Sequence, residues 1–192
     1  QSSAASDVYK RQVYNFTPMD ILEAIKKRHS VRGYLSKDVS EDVVKDILET
    51  SKFSPSGVNS QPWKVYVVMG EARNKLVKEA CEKFDKGEIE TEEYQVYPSK
   101  ESMPDWYKAR QRACGFGLYG ALGIERDQMD KRMAWAKKNY EFFDAPVGIF
   151  VTVHKSVGPN GWGHVGHFLQ SICLAAVGKG LGTCLQEAWA GF

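Results

Sequence analysis

Ser54-Pro55-Ser56-Gly57-Val58-Asn59-Ser60-Gln61-Pro62-Trp63 joins an apolar-striped helical stretch to a short β-branched run. Two prolines stiffen the segment, and Gly57 is expected to take a turn conformation that other residues resist. Ser56, Asn59, Ser60 and Gln61 place several hydrogen-bonding side chains within a few positions. Such a loop suits an ordinary helix-to-strand connection, or contact with a polar ligand or a second chain.

Working outward, Ser40-Glu41-Asp42-Val43 has the pattern of a capped helix start. Val44, Ile47 and Leu48 form its apolar stripe, with Phe53 expected to close it. After the loop, Lys64 to Met69 (KVYVVM) reads as a strand ended by Gly70. Glu71 to Phe84 reads as a helix with Leu76, Val77 and Ala80 inward. Nearer the start, Thr17 is expected to cap a helix with Pro18 in its first turn and Ile21, Leu22 and Ile25 on one face. That helix must end before Gly33.

Further on, Tyr107 to Leu122 and Glu125 to Phe143 read as two helices joined at Gly123. Val147 to Val153 (VGIFVTV) is a continuous apolar run suited to a buried strand. Gly163 to Lys179 is apolar on almost every side, the pattern of a buried central helix. Thr183-Cys184-Leu185 is expected to start a third strand. Helices alternating with a few strands make a layered α/β or α+β sandwich.

The 192 residues suit one domain, and 43% hydrophobic content is enough to build a core. Residues 1–16 lack periodicity and are read as a disordered or non-native arm ahead of a domain over 17–192. Basic and acidic residues number 26 and 24, a near balance, and no run of Lys and Arg interleaved with aromatics stands out, which disfavours a nucleic-acid groove. No apolar run is long enough to span a bilayer, and no secretory h-region opens the chain, so the expected location is cytoplasmic. Cys81, Cys114, Cys173 and Cys184 are scattered and read as free thiols of a reducing compartment.

Arg28-His29-Ser30-Val31-Arg32 is the second stretch with chemical content. Its guanidinium groups suit an oxyanion such as a phosphate, although by spacing alone a solvated basic helix end is the commoner case. His164 and His167 share a helical face but have no evident third ligand, so no metal site is expected. No G-x-S-x-G, P-loop or G-x-G-x-x-G after a strand is present.

Together these pieces resemble the FMN-dependent nitroreductase family, in the branch of nitrobenzoate-type reductases. Arg28–Arg32 resembles the first flavin motif and Pro55–Trp63 the second. Phe142-Phe143-Asp144-Ala145-Pro146 resembles the lead into the central strand. Gly180-Leu181-Gly182-Thr183-Cys184-Leu185-Gln186 resembles the strand and loop under the flavin.

The resemblance implies an α+β, three-layer α/β/α sandwich whose central mixed sheet is flanked by helices. It implies a two-fold homodimer with FMN at the interface. NAD(P)H would reduce the flavin by ping-pong hydride transfer, and a nitroaromatic, quinone or similar acceptor would reoxidise it. Arg28, His29, Ser30 and Arg32 would hold the FMN phosphate, ribityl chain and ring edge. Pro55, Ser56 and Asn59 would reach the partner subunit's flavin. Gln186 and Glu187 would pass below the ring, with the Glu187 backbone N–H near N5. No side chain is assigned a catalytic role, because the flavin carries the chemistry.

Residues 85–106 would cover the acceptor. The family continues beyond the position of Phe192, so the C-terminal part of the domain is expected to be missing. The alternatives are another flavin reaction on the same scaffold, reductive dehalogenation or enone reduction, and a non-catalytic flavin-binding protein or fragment.

Overall fold

The computed structural model describes residues 19–88, 99 and 101–191. Its regular elements are α1 (Ile21–Lys27), α2 (Glu41–Ser51), β1 (Trp63–Met69), α3 (Gly70–Lys86), α4 (Asp105–Ala121), α5 (Met129–Lys137), β2 (Val147–Val153) and α6 (Asn160–Gly178). Two compact units divide the chain. One holds the described residues up to Val31 with Val39–Val65 and Val151–Cys184; the other holds Arg32–Asp38, Tyr66–Phe150 and the residues from Leu185 onward.

β1 and β2 hydrogen-bond into a two-stranded sheet. In the first unit the Thr152 hydroxyl donates to the Lys64 carbonyl at 3.4 Å. In the second, Gly148 lies against Val68. Position rises along one strand as it falls along the other, so the pairing is antiparallel. The third strand expected at Thr183 is a single parallel bridge between Ser30 and Thr183. Gly180 and Gly182 precede it, and the chain turns into a short 3-10 helix, Ala188–Gly191, before a ladder can form.

The first unit is built on α6. Its apolar content encircles the helix, but only one stripe is buried: Gly161, Val165, Phe168, Ile172, Cys173 and Ala176. Phe168, Ile172 and Ala176 form a core with Ile47 of α2. Phe168 stacks on Trp63 with ring centroids 4.5 Å apart and planes 10° apart. Burying a side chain of that size stabilises by about 1.5–3 kcal/mol.

Two expectations for this unit fail. Phe53 does not close the α2 stripe; it is 91% exposed, because Lys52 and Phe53 turn outward as the helix ends. The first helix is capped by Asp20, whose carboxylate accepts from the N–H groups of Leu22 and Glu23, and Ile21, Leu22 and Ile25 are exposed. Thr17 and Pro18 lie outside the described residues.

The second unit is organised by aromatic rings. Phe142 stacks on Trp189 at 4.7 Å, and Phe150 meets both rings edge-on. Tyr140 packs against Phe84 and Trp189. Arg73 donates to the Glu141 carbonyl at 2.8 Å, with its guanidinium carbon 5.7 Å from the Phe142 ring centroid.

The helix expected over 125–143 is only α5, Met129–Lys137. After it the chain tightens into i to i+3 hydrogen bonds from Ala136 to Asn139. It then enters three successive left-handed residues, Phe142 (φ 54), Phe143 (φ 51) and Asp144 (φ 66). Continuing the helix would separate Tyr140, Phe142 and Phe143, which the turn buries together. Non-glycine residues in this region carry strain, here offset by that burial.

Candidate functional site

The basic stretch begins where α1 ends. The carbonyl of Ala24 accepts the Arg28 N–H at 3.0 Å, and Lys27 holds the His29 ring through a 2.8 Å contact from its carbonyl to Nδ1. The Val31 N–H then donates to Thr183 at 2.9 Å. Ser30 and Val31 therefore lie beside Gly182 and Thr183, and Arg28 and His29 lead into this bridge. The approach is close: a Cβ at Gly182 would stand 2.8 Å from Val31 Cγ2. Next to this bridge the Thr183 hydroxyl is buried without a hydrogen-bond partner. A buried, unsatisfied hydroxyl costs about 1–3 kcal/mol, which a polar ligand at this edge would relieve.

The Ser54–Trp63 loop is clamped to α6 by three contacts. His164 Nε2 would lie 3.3 Å from a Cβ at Gly57. His167 Nδ1 lies 3.2 Å from the Pro55 carbonyl oxygen. The Ser54 and Ser171 hydroxyls are 2.7 Å apart. The two histidines thus brace the loop, and among the described residues no group of three or more His, Cys, Asp or Glu could hold a metal.

Gly57 does not take the positive φ expected of it. Val58 (φ 50), Asn59 (φ 53) and Gln61 (φ 42) do, and Gly57 is instead the point of close approach to His164. The Ser56 hydroxyl accepts from the Gln61 N–H at 2.9 Å, fixing the turn from within. A concavity of about 540 Å³ is lined by Lys52, Phe53, Ser54, Pro55, Ser56, Asn59 and Gln61.

In the second unit, the Arg32 guanidinium carbon lies 5.8 Å from the Phe143 ring centroid, over the left-handed turn. Gln186 turns its amide inward, donating to the Asn139 carbonyl at 3.0 Å and to Asn139 Oδ1 at 3.2 Å. Glu187 is exposed. Within the first unit the structure sets Ser30, at the end of the basic stretch, against Thr183, and holds Pro55, Ser56 and Asn59 in one loop. The sequence reading missed Asn139, and it placed Thr183 in the third strand and the motif under the flavin without giving its side chain a role. Neither residue type signals a role, since each acts through a partner some 47 or more positions away.

Of the proposed cover, residues 89–98 and 100 lie outside the described residues. Trp106, at its end, is exposed with Arg110 5.2 Å from its ring centroid. Cys81, Cys114, Cys173 and Cys184 are free thiols. Among the described residues no helix is long and apolar enough to cross a membrane.

The donor set at the first-unit edge fits an FMN phosphate and ribityl chain: guanidinium and imidazole groups, a serine hydroxyl and the unsatisfied Thr183 hydroxyl. Comparison with known proteins shows the family. The model of the Nitroreductase family matches residues 25–192. The chain is 38% identical to the nitrobenzene nitroreductase of Ectopseudomonas oleovorans over 168 residues, covering 87% of this chain and 73% of that protein. It is 33% identical to the 4-nitrobenzoate reductase of Nocardioides sp. (strain LMS-CY), covering 100% of this chain and 78% of that one. The crystal structure of the FMN and NADPH-dependent nitroreductase NfnB from Sphigopyxis sp. strain HMH superposes with a TM-score of 0.84 at 35% identity, covering 90% of this chain and 77% of that one. A family model that matches residues 25–192, with relatives 33–38% identical over most of the chain, places this chain in the nitroreductase family.

Proposed function

We propose that this protein is an FMN-dependent oxidoreductase that uses NADPH to reduce nitroaromatic acceptors. The observation that carries the reading is the Ser30–Thr183 bridge, which sets a basic, hydroxyl-bearing edge beside the segment entering Gln186 and Glu187. FMN, when bound, supplies the redox chemistry, taking a hydride from the nicotinamide and passing reducing equivalents to the acceptor.

The chain supplies binding and position. Arg28 would give the phosphate charge-assisted, two-pronged hydrogen bonds that lysine cannot match, and Arg32 is a further guanidinium assigned to the cofactor. Ser30 and His29 would serve the ribityl hydroxyls and ring edge. The Glu187 backbone N–H would be the donor offered to N5, tuning the flavin without a particular side chain.

Pro55, Ser56 and Asn59 serve the flavin of a partner subunit. Supporting that assignment, Val58 at the loop tip is fully exposed, and Ile21, Leu22 and Ile25 on α1 are about half exposed or more. In the second unit α4 buries none of its residues and presents Trp106 and Phe116. A self-associating chain would cover these surfaces. A reducing compartment such as the cytoplasm suits the free thiols.

The test is the absorbance of the purified protein. A yellow protein that bleaches with NADPH and recovers colour with 4-nitrobenzoate or nitrobenzene is the expected result. A colourless protein that takes up no added FMN would reject the reading.

A further inference from the structure

We infer that Asn139 is a positioning residue for the flavin-facing backbone at Glu187. The inference rests on the placement of Gln186 and Glu187 proposed above and adds what holds them.

Three donor contacts converge on Asn139. Gln186 Nε2 donates to its carbonyl at 3.0 Å and to its Oδ1 at 3.2 Å. Trp189 Nε1 donates to the same carbonyl at 3.1 Å. The Asn139 amide in turn donates to the Ala136 carbonyl at 2.9 Å, locking the side chain onto the end of α5. The next residue joins in, since the Tyr140 hydroxyl donates to the Ala188 carbonyl at 3.4 Å. Trp189 is further fixed by its stack on Phe142.

Glu187 therefore lies between anchors on both sides, Gln186 before it and Ala188 and Trp189 after it. Its carbonyl closes the turn by accepting the Ala190 N–H at 3.0 Å. None of these bonds consumes the Glu187 N–H, so its aim is set while the donor is spared. The base is stiff too. Lys138 pairs with Glu141 at 2.5 Å and Asp144 at 3.2 Å, bracing the left-handed turn that carries the aromatic anchors. A backbone donor at N5 acts on reduced and oxidised flavin unequally, so moving it changes the ratio of their affinities.

The experiment uses the full chain loaded with FMN. Asn139→Leu removes both side-chain bonds. Asn139→Asp keeps the acceptor for Gln186 and loses only the donation to Ala136. Trp189→Phe keeps the ring stack and removes the Nε1 donor. The readout is the midpoint potential of bound FMN together with its dissociation constant. Asn139→Leu is expected to change the ratio of reduced to oxidised affinities about tenfold, about 30 mV for a two-electron couple. Trp189→Phe should shift it in the same direction, and Asn139→Asp should stay near wild type. Equal potentials in wild type, Asn139→Leu and Trp189→Phe, with FMN retained, would overturn this inference alone. Equal shifts in Asn139→Leu and Asn139→Asp would overturn it as well, assigning Asn139 to the α5 end. A wild-type chain that takes up no FMN would overturn the flavin reading, and this inference with it.

Discussion

His167 Nδ1 stands 3.2 Å from the carbonyl oxygen of Pro55, a contact across 112 residues of sequence. To donate there the ring must carry its proton on Nδ1. With the His164 ring against Gly57 and Ser171 against Ser54, α6 becomes a template along which the loop is laid residue by residue. The Asn59 and Ser60 N–H groups close the loop onto Ser56 and Gly57 at 2.9 and 3.0 Å. His167→Phe keeps a ring and loses the donor, and His167→Gln restores an N–H. A hydrogen bond of this kind contributes about 0.5–1.5 kcal/mol net. Amide exchange at Asn59 and Ser60 should accelerate roughly two- to tenfold in the first variant and return toward wild type in the second. Identical exchange in all three proteins would sever the loop from the helix.

Gly182 permits the contact on which the basic edge depends. A methyl there would meet Val31 Cγ2 at 2.8 Å and Cβ at 3.1 Å. Val31 is β-branched and has few rotamers to escape into, and its N–H is committed to Thr183. Gly182→Ala should cost about 1–3 kcal/mol and weaken FMN retention, because Ser30 loses its bridge. Gly163→Ala is the control: it lies in α6 with open space around it and should be neutral or mildly stabilising. Thermal melts and flavin fluorescence check both, and equal behaviour of the two variants would refute the role of Gly182.

The elements that follow local rules were legible in the sequence. β2 falls on Val147–Val153 as its apolar run dictates, and β1 begins one residue early, at Trp63. Ser40 caps α2, and Val44 and Ile47 are buried. What escaped the reading depends on distant partners. Nothing in Phe142-Phe143-Asp144 encodes left-handed backbone; the turn exists because Trp189, Phe150 and Arg73 receive its rings. Gly57 invited a conformational explanation, yet its absent side chain makes room for His164. α6 is apolar all round but buries one stripe, so the remainder of its surface was misread as core. The site motifs were legible as motifs. Their anchors, Thr183 and Asn139, were not, because a polar residue shows its worth only beside its partner.

Stability should fall on the alkaline side. Burial, reinforced by Glu141, raises the Cys81 thiol above its usual 9.0. Burial raises the Tyr140 hydroxyl above 10.0. Hydrogen bonds to Asp85 and to Glu141 raise Lys137 and Lys138 above 10.5. In every case the folded state holds its proton more tightly than the unfolded chain. The stabilisation is therefore full below the ordinary value and is lost as pH rises through the folded one. The melting temperature should be flat from pH 7 to 8 and decline from about pH 9, first through the thiol, then through the phenol and amines. Cys81→Ala should delay the onset. A decline that begins at the same pH in that variant would remove Cys81 from the account.

Val58 sets stability against association. It is fully exposed, and a β-branched residue at φ 50 is strained by about 1–3 kcal/mol. Asparagine tolerates this backbone readily, so Val58→Asn should raise the melting temperature of dilute protein by a few degrees. The same change removes an apolar side chain from the tip of the loop assigned to the partner's flavin. If that tip is covered by a second subunit, losing it should weaken self-association about tenfold, the effect of about 1.4 kcal/mol of buried apolar contact. Sedimentation across a concentration series and melts at low concentration read the two effects separately. A variant that is more stable and associates as tightly as wild type would take Val58 out of the interface. One that is neither more stable nor weaker in association would show that its left-handed backbone carries no strain.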